Sequence, residues 1–241
     1  MKRRALVTGG SGGIGRAICL KLAEAGFNIC INYHNSLERA ERVKEVVIKL
    51  GQKAITLKAD VSKSSEVEEM VRGTADALGG IEVLVNNAGV LTPRAVTEDL
   101  SEAEWDRMLG VNLKGAFLCS RFAIPYLKKA NQASIVNISS IAGKMGGAVG
   151  VHYAASKAGL IGFTMALASE LAPYNITCNA VAPGPVDTEL IDAGLKEKLR
   201  RLTPLNRIAR PEEIASCVLF LSENRYITGE TIDVNGGRYM D

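Results

Sequence analysis

The stretch RALVTGGSGGIGRAICLKLAEAG, residues 4–26, decides the fold of this chain. Its apolar start predicts a buried strand, and the apolar spacing over residues 14–26 predicts a helix that stops at a glycine. Between them, TGGSGGIG at residues 8–15 is rich in glycine. Glycines at a strand-to-helix turn let the backbone approach a pyrophosphate, which the free N–H groups of the helix N-terminus bind. This context favours a dinucleotide site over a tight turn without a ligand.

Strands and helices alternate along the rest of the chain. Apolar runs predict further strands at 27–33, 53–61, 81–89, 133–140, 175–184 and 230–237. Amphipathic runs predict helices at 36–51, 64–80, 151–173 and 211–223, and one or two helices over 101–129. Near-continuous apolar strands are typical of parallel sheets that helices cover. We therefore expect an α/β chain, a single Rossmann-type doubly wound domain over 1–241, with a seven-stranded, mainly parallel sheet and helices on both faces.

The composition argues against several classes of protein. A net charge of +3 is too small to indicate nucleic acid or a membrane as partner, and 5% aromatic content argues against a base-stacking platform. The five cysteines form no CxxC pair and the chain has only two histidines, so we expect no metal site. Reduced, packed thiols and the absence of a signal peptide or a spanning segment favour a cytoplasmic location.

A tyrosine and a lysine in VHYAASKAG, residues 151–159, form a candidate acid/base pair. Tyr153 and Lys157 are four residues apart, so they share one face of the predicted helix. An ammonium beside a phenol favours the phenolate and would lower the tyrosine pKa towards neutral pH. Taken alone, an ordinary surface pair explains this spacing better.

Four motifs in sequence order change that balance. They are T-G-x-x-x-G-x-G at residues 8–15, NNAG at 86–89, Y-x-x-x-K at 153–157, and a Pro-Gly pair at 183–184 with a threonine at 188. Each is weak alone, but together they resemble the short-chain dehydrogenase/reductase family over essentially the whole chain. The resemblance implies an NAD(P)-dependent oxidoreductase that acts on CH–OH or C=O groups and assembles as a homotetramer.

The resemblance also implies four catalytic residues. Ser140, thirteen residues before Tyr153, would hydrogen-bond the substrate oxygen, with the adjacent Ser139 as the alternative. Tyr153 would exchange the proton, while Lys157 would lower the tyrosine pKa and hold the nicotinamide ribose. Asn112 would interrupt its helix and hold a water that relays protons to the lysine.

The cofactor contacts come from the same resemblance. They are Thr8, Gly9, Ser11, Gly12, Gly13, Ile14, Gly15, Tyr33, His34, Asn35, Ser36, Asp60, Val61, Asn87, Ala88, Gly89, Tyr153, Lys157, Pro183, Gly184, Val186 and Thr188. No carboxylate occurs in INYHNS, residues 31–36, where an acidic residue would select NAD. NADP is therefore expected and NAD is less favoured, with Arg39 among the phosphate contacts. Gly12 departs from the pattern, because NADP-using relatives often carry an arginine there.

Several stretches are most similar to family members that reduce 3-oxoacyl thioesters of acyl carrier protein in fatty acid biosynthesis. They are VLVNNAG (83–89), YAASKAGLIGFT (153–164), ITCNAVAPG (176–184) and YITGETIDVNGG (226–237). An acidic carrier needs a basic docking surface, which Lys128 and Lys129 could supply, although they could equally be an ordinary helix end. Residues 185–210 would form a substrate lid. His152 is expected to line the pocket rather than to catalyse.

Two other functions stay open. A reductase of the same family acting on a sugar, polyol or small ketone would share most of these motifs. A nucleotide-sensing regulator without turnover could also use the fold, but it would have no need for the full set of Asn112, Ser140, Tyr153 and Lys157. The complete set therefore favours an enzyme.

Overall fold

One seven-stranded sheet forms the centre of the protein in a computed structural model that describes residues 3–92, 96–146, 149–188 and 193–240. The strands are β1 (Arg4–Val7), β2 (Asn28–Tyr33), β3 (Ala54–Lys58), β4 (Val83–Asn86), β5 (Ala133–Ile138), β6 (Ile176–Pro183) and β7 (Thr231–Val234). They lie in the order β3-β2-β1-β4-β5-β6-β7, and every pairing is parallel. The strand order reverses between β1 and β4, and ligands bind at the carboxyl ends of the strands beside such a switch point.

Helices cover both faces of this sheet. They are α1 (Gly13–Glu24), α2 (Leu37–Lys49), α3 (Ser64–Leu78), α4 (Glu102–Leu109), α5 (Gly115–Leu127), α6 (Ala142–Met145), α7 (Val151–Leu171), α8 (Ala193–Arg201) and α9 (Pro211–Glu223). Side chains of α1, α2 and α9 fill the core on one face, and those of α3, α5 and α7 fill it on the other. In β1, Ala5 and Val7 join the first core while Leu6 joins the second, as the alternation of side chains along a strand requires. The predicted fold class is confirmed.

Several elements differ from their predicted form, and β3 and β4 each end three residues before their predicted ends. The stretch predicted as one or two helices at 101–129 is a continuous helical run, in which a π-helical turn, Gly110–Lys114, joins α4 to α5. β7 ends at Val234, short of the predicted 237. Gly236 and Gly237 have φ values of 66° and 84°, and this left-handed backbone cannot continue a strand.

The part of the chain that the structure describes contains neither a membrane-spanning helix nor a cluster of metal ligands. No helix there is long and apolar enough to cross a bilayer, and no three His, Cys, Asp or Glu side chains gather as metal ligands would. All five cysteines are free, four of them are buried, and burial raises the pKa of every thiol. The thiols therefore pack as small apolar groups.

Candidate active site

The glycine turn between β1 and α1 forms a close backbone cradle. Gly9 and Gly13 adopt φ values of 61° and 52°, which glycine tolerates best. A Cβ at Gly15 would lie 2.2 Å from the carbonyl oxygen of Gly9, so the two backbone segments touch directly. Because α1 begins at Gly13, its unpaired N–H groups open at this turn. The cradle fits the pyrophosphate of a dinucleotide, which the N-terminus of a helix stabilises.

Hydrogen bonds between the ends of β1 and β4 hold this turn in place. The Thr8 hydroxyl accepts the N–H groups of Asn87 and Ala88, both at 3.0 Å, and donates to the Val85 carbonyl at 3.2 Å. In return, the Asn87 amide donates to the carbonyls of Thr8 at 2.9 Å and Gly9 at 3.1 Å. The side chains of Thr8 and Asn87 therefore join the two strands on either side of the switch point.

Asn32 is a further support of the turn that the sequence analysis missed. Its Oδ1 accepts the N–H of Gly9 at 3.1 Å, and its Nδ2 donates to the carbonyl of Ala59 at 3.2 Å. Its own carbonyl accepts the N–H of Gly10 at 2.8 Å. The one available signal was a polar residue, Asn32, directly after the apolar run at positions 29–31 of the strand NICINY.

The exit of β2 carries the residues predicted to recognise the adenosine. His34 and Asn35 are exposed, and His34 Nε2 lies 3.9 Å from Asp60 Oδ2. Burial opposes ionisation of Asp60, but the hydrogen bonds from Ser62 together with the nearby His34 and Lys63 outweigh it and hold the pKa of Asp60 below its usual value. Val61, another predicted contact, is buried in the core beside Gly115. Its side chain therefore serves packing.

Arg39 lies close to the glycine turn. Its Nη1 is 3.8 Å from the position that a Cβ would take at Gly12. A cavity of about 780 Å³ opens beside the two residues. Its lining includes the cations Arg16, Arg39, Arg42 and Lys196 and the carboxylates Glu45, Asp187 and Glu212. A guanidinium from α2 thus stands next to the position where the family often carries an arginine.

The segment after β6 approaches the other side of the turn. Pro183 ends β6, and a Cβ at Gly184 would lie 2.8 Å from the Asn235 Cα, so this exit packs tightly against the chain after β7. Thr188 Cγ2 lies 3.5 Å from the position of a Cβ at Gly13. Val186 is buried in the core, as is much of Ile14. Positions 189–192 of the predicted lid lie outside the described residues.

Ser140 and Tyr153 meet at the end of β5. The Ser140 hydroxyl lies within reach of the Tyr153 hydroxyl, where it favours the phenolate, and it accepts the N–H of Ala142 at 3.1 Å. The neighbouring Ser139 is buried and turned away, since its hydroxyl donates to the carbonyl of Lys157 at 2.8 Å. Of the two candidate serines, only Ser140 therefore contacts the tyrosine.

Burial governs the charge of the tyrosine and the lysine. Lys157 is 5% exposed, and this burial lowers its pKa from 10.5 to about 8. Burial also raises the pKa of Tyr153, and the hydrogen bond from Ser140 offsets only part of that effect. The expected lowering of the tyrosine pKa by the lysine is thus wrong for this structure. Lys157 Nζ lies 5.7 Å from the centre of the tyrosine ring and donates to the Ile138 carbonyl at 2.8 Å.

Asn112 sits in the π-helical turn and faces the same place. Its Oδ1 accepts the N–H of Val90 at 2.8 Å, and its Nδ2 donates to the Val90 carbonyl at 3.0 Å and to the Ser156 hydroxyl at 3.2 Å. A Cβ at Gly89 would lie 3.4 Å from Asn112 Oδ1 and 3.6 Å from Lys157 Nζ. The structure therefore brings Asn112 and Lys157 together around Gly89, and π-helical turns often occur at functional sites.

Comparisons with known proteins agree with this architecture. The family model for short chain dehydrogenases matches residues 3–198. A 3-oxoacyl-[acyl-carrier-protein] reductase of Staphylococcus epidermidis is 42% identical over 245 residues, covering 100% of both chains. A relative of the same name from Aquifex aeolicus is 41% identical over 97% of this chain and 96% of its own.

Solved structures extend the likeness to three dimensions. A variant of a Serratia marcescens short-chain dehydrogenase/reductase matches with a TM-score of 0.94 at 38% identity, covering 98% of this chain and 97% of that one. The expected class of activity, an NAD(P)-dependent oxidoreductase acting on CH–OH and C=O groups, is confirmed by the family match. This chain belongs to the short-chain dehydrogenase/reductase family.

Proposed function

We propose that this protein is an NADPH-dependent reductase of 3-oxoacyl thioesters carried by acyl carrier protein. The single observation that carries the substrate is the full-length similarity, at 41–42% identity, to relatives named for that reaction. The reaction adds a hydride and a proton to a ketone. NADPH, when bound, supplies the hydride.

The glycine turn and its supports would hold the cofactor. The backbone N–H groups near Gly13 and the start of α1 bind its pyrophosphate, and Thr188 lines the turn from the other side. Lys157 hydrogen-bonds the nicotinamide ribose, as the family resemblance implies. These groups orient the cofactor at the switch point of the sheet.

Four side chains then deliver the proton to the ketone oxygen and replace it on the tyrosine. The neighbouring hydroxyls of Ser140 and Tyr153 each donate a hydrogen bond to the ketone oxygen of the substrate. Because burial raises the pKa of Tyr153, its hydroxyl stays protonated at neutral pH and donates that proton to the oxygen. Lys157 and Asn112, which lie together around Gly89, hold the water that returns a proton to the tyrosine.

Arg39 supports NADP over NAD. An adenosine 2′-phosphate carries negative charge, and no carboxylate stands in residues 31–36 to repel it. Arg39 Nη1 lies beside Gly12, so a cation from α2 replaces the arginine that the turn lacks. Arg39→Met should raise the KM for NADPH about tenfold or more and leave the KM for NADH nearly unchanged. Equal changes for both cofactors would remove Arg39 from 2′-phosphate recognition.

The partners follow from the same proposal. Lys128 Nζ lies 3.5 Å above the ring of Tyr174, which fixes one cation of the basic docking surface for an acidic carrier. The described parts of the predicted lid, 185–188 and 193–210, would cover the substrate, and the described residues would belong to one domain. Exposed apolar side chains on the long helices, among them Phe117 and Met165, pack against other copies in a cytoplasmic homotetramer.

Oxidation of NADPH and of NADH with acetoacetyl-CoA tests this function. The proposal is supported if the wild type oxidises NADPH quickly and NADH more slowly, and if the Tyr153→Phe variant gives almost no loss of NADPH absorbance. With acyl carrier protein as carrier, rising salt should weaken the reaction, because charge steering is screened. Turnover only with sugars, polyols or small ketones would refute the substrate. Binding of both cofactors without any turnover would indicate the nucleotide sensor.

A further inference from the structure

His152 is a buried polar side chain that the reaction does not use. It immediately precedes Tyr153 in the first turn of α7 and is 1% exposed. Its Nε2 lies 2.9 Å from the hydroxyl of Thr92. Thr92 belongs to the segment that follows NNAG, so this hydrogen bond joins that segment to the helix of Tyr153 and Lys157.

The segment Val90–Thr92 is attached to the rest of the site at both ends. At its start, Val90 exchanges two hydrogen bonds with Asn112. At its end, Thr92 contacts His152. Gly89, just before the segment, lies against Lys157 Nζ. The segment therefore borders Asn112 and Lys157, and its second end is hydrogen-bonded to the imidazole.

Gly150 makes room for that imidazole. A Cβ at Gly150 would lie 2.4 Å from His152 Cε1 and 2.6 Å from Nδ1. Gly150 has φ −62° and ψ 154°, a backbone that any residue adopts, so it is the contact with His152 that requires a glycine. His152 Nδ1 is buried and makes no hydrogen bond within the described ranges. The ring is therefore held by packing on one edge and by Thr92 on the other.

None of the bonds that support the glycine turn involves this contact. Thr8, Asn32 and Asn87 hold the turn through their own hydrogen bonds. A change at His152 should therefore leave the cofactor side intact and disturb the side that borders the substrate.

We propose that His152 is a positioning residue that, through Thr92, fixes Val90–Thr92 as the wall of the substrate site next to Ser140 and Tyr153. This inference rests on the proposed reductase function. It assigns His152 no part in proton transfer, because its hydrogen bond goes to Thr92 rather than to the catalytic side chains.

Three substitutions break the same contact by different means. His152→Leu removes the imidazole, Thr92→Val removes the hydroxyl at constant shape, and Gly150→Ala displaces the ring. His152→Gln and Thr92→Ser keep a hydrogen-bonding group at each position and serve as conservative variants. Gly73→Ala in α3 is the matched glycine control, because its Cβ would meet only Leu57 at an ordinary 3.4 Å.

The expected readout is a split between the kinetic constants. The three disruptive variants should raise the KM for acetoacetyl-CoA about 3- to 10-fold, because that factor corresponds to the loss of one hydrogen bond. The KM for NADPH should stay unchanged. The double variant of His152→Leu and Thr92→Val should be no worse than either single one, since both remove one contact. A KM for acetoacetyl-CoA near the wild-type value in His152→Gln and Thr92→Ser would support the proposal. It would be overturned if the effects of the two single substitutions multiplied in the double variant, or if the KM for NADPH rose in parallel.

Hydrogen exchange gives a second test that needs no substrate. Amides of residues 88–92 should exchange faster in the three disruptive variants than in the wild type, the conservative variants and Gly73→Ala. Unchanged exchange would overturn the positioning role. If the wild type reduces no 3-oxoacyl thioester but the exchange pattern holds, the substrate assignment fails while the contact stands.

Discussion

Replacing Lys157 by methionine should reveal how much stability the protein loses by burying a cation at its active site. Burial lowers the pKa of Lys157 from 10.5 to about 8. Each pKa unit corresponds to about 1.4 kcal/mol, so below pH 8 the buried charge costs the native state about 3 kcal/mol. Methionine has a similar length and carries no charge. The variant also loses the hydrogen bond from Nζ to the Ile138 carbonyl, which costs it about 1–3 kcal/mol at every pH.

The pH dependence separates these two effects. As the pH rises from 8 to 10.5, native Lys157 releases its proton before the unfolded chain does, so the unfolded state binds more protons and the wild type becomes more stable. The methionine variant has no such proton to release. Between about pH 7 and pH 10.5, the free energy of unfolding of the wild type should therefore rise by about 3 kcal/mol relative to that of Lys157→Met. The lost hydrogen bond lowers the free energy of unfolding of the variant by the same amount at every pH, so it does not change this pH dependence.

Urea unfolding measures this difference. Both proteins would be unfolded at one fixed concentration over that pH range, with far-UV circular dichroism as the signal. Lys49→Met on α2 is the control, because Lys49 is exposed and the same substitution there should leave the pH dependence unchanged. A constant difference between wild type and Lys157→Met from neutral to alkaline pH would refute the idea that burial disfavours the Lys157 charge.

Two further variants test the site. Tyr153→Phe should reduce turnover by about 100-fold or more because it removes the proton donor, while NADPH still binds in a fluorescence titration; near-normal turnover would contradict the role of the tyrosine. Gly15→Ala should weaken NADPH binding about tenfold or more and lower the midpoint of thermal unfolding, because its Cβ would lie 2.2 Å from the Gly9 carbonyl oxygen. Unchanged binding and stability would show that the turn can move apart at little cost.

The sequence was sufficient for the fold and for most of the candidate site, because both depend on local patterns. Alternating apolar runs predict the parallel sheet, and the spacing of Tyr153 and Lys157 places them on one face of α7. The glycine turn is likewise a local signal. In each case, neighbouring residues in the chain carry the information.

Features that depend on contacts between distant segments were missed or wrong. Asn32 supports the turn through Ala59, far along the chain, and nothing local marks that partner. The direction of the Tyr153 pKa shift depends on burial, which the i, i+4 spacing to Lys157 does not report. The side chain of Val61, a predicted adenine contact, packs in the core against Gly115 of α5, and its neighbours in the sequence do not mark that packing.

Close backbone contacts at glycines set the geometry of this site. A Cβ at Gly15 would meet Gly9, one at Gly143 would lie 2.6 Å from the carbonyl carbon of Lys157, and one at Gly184 would lie 2.8 Å from the Asn235 Cα. These contacts join the cofactor turn to β1, the turn after Ser140 to α7, and the exit of β6 to the chain after β7. Since side chains would hold these segments apart, glycine is required at each of these three positions. Side-chain hydrogen bonds then fix what the close backbone contacts allow, because the Thr8 hydroxyl and the Asn87 amide join the ends of β1 and β4 beside the same turn.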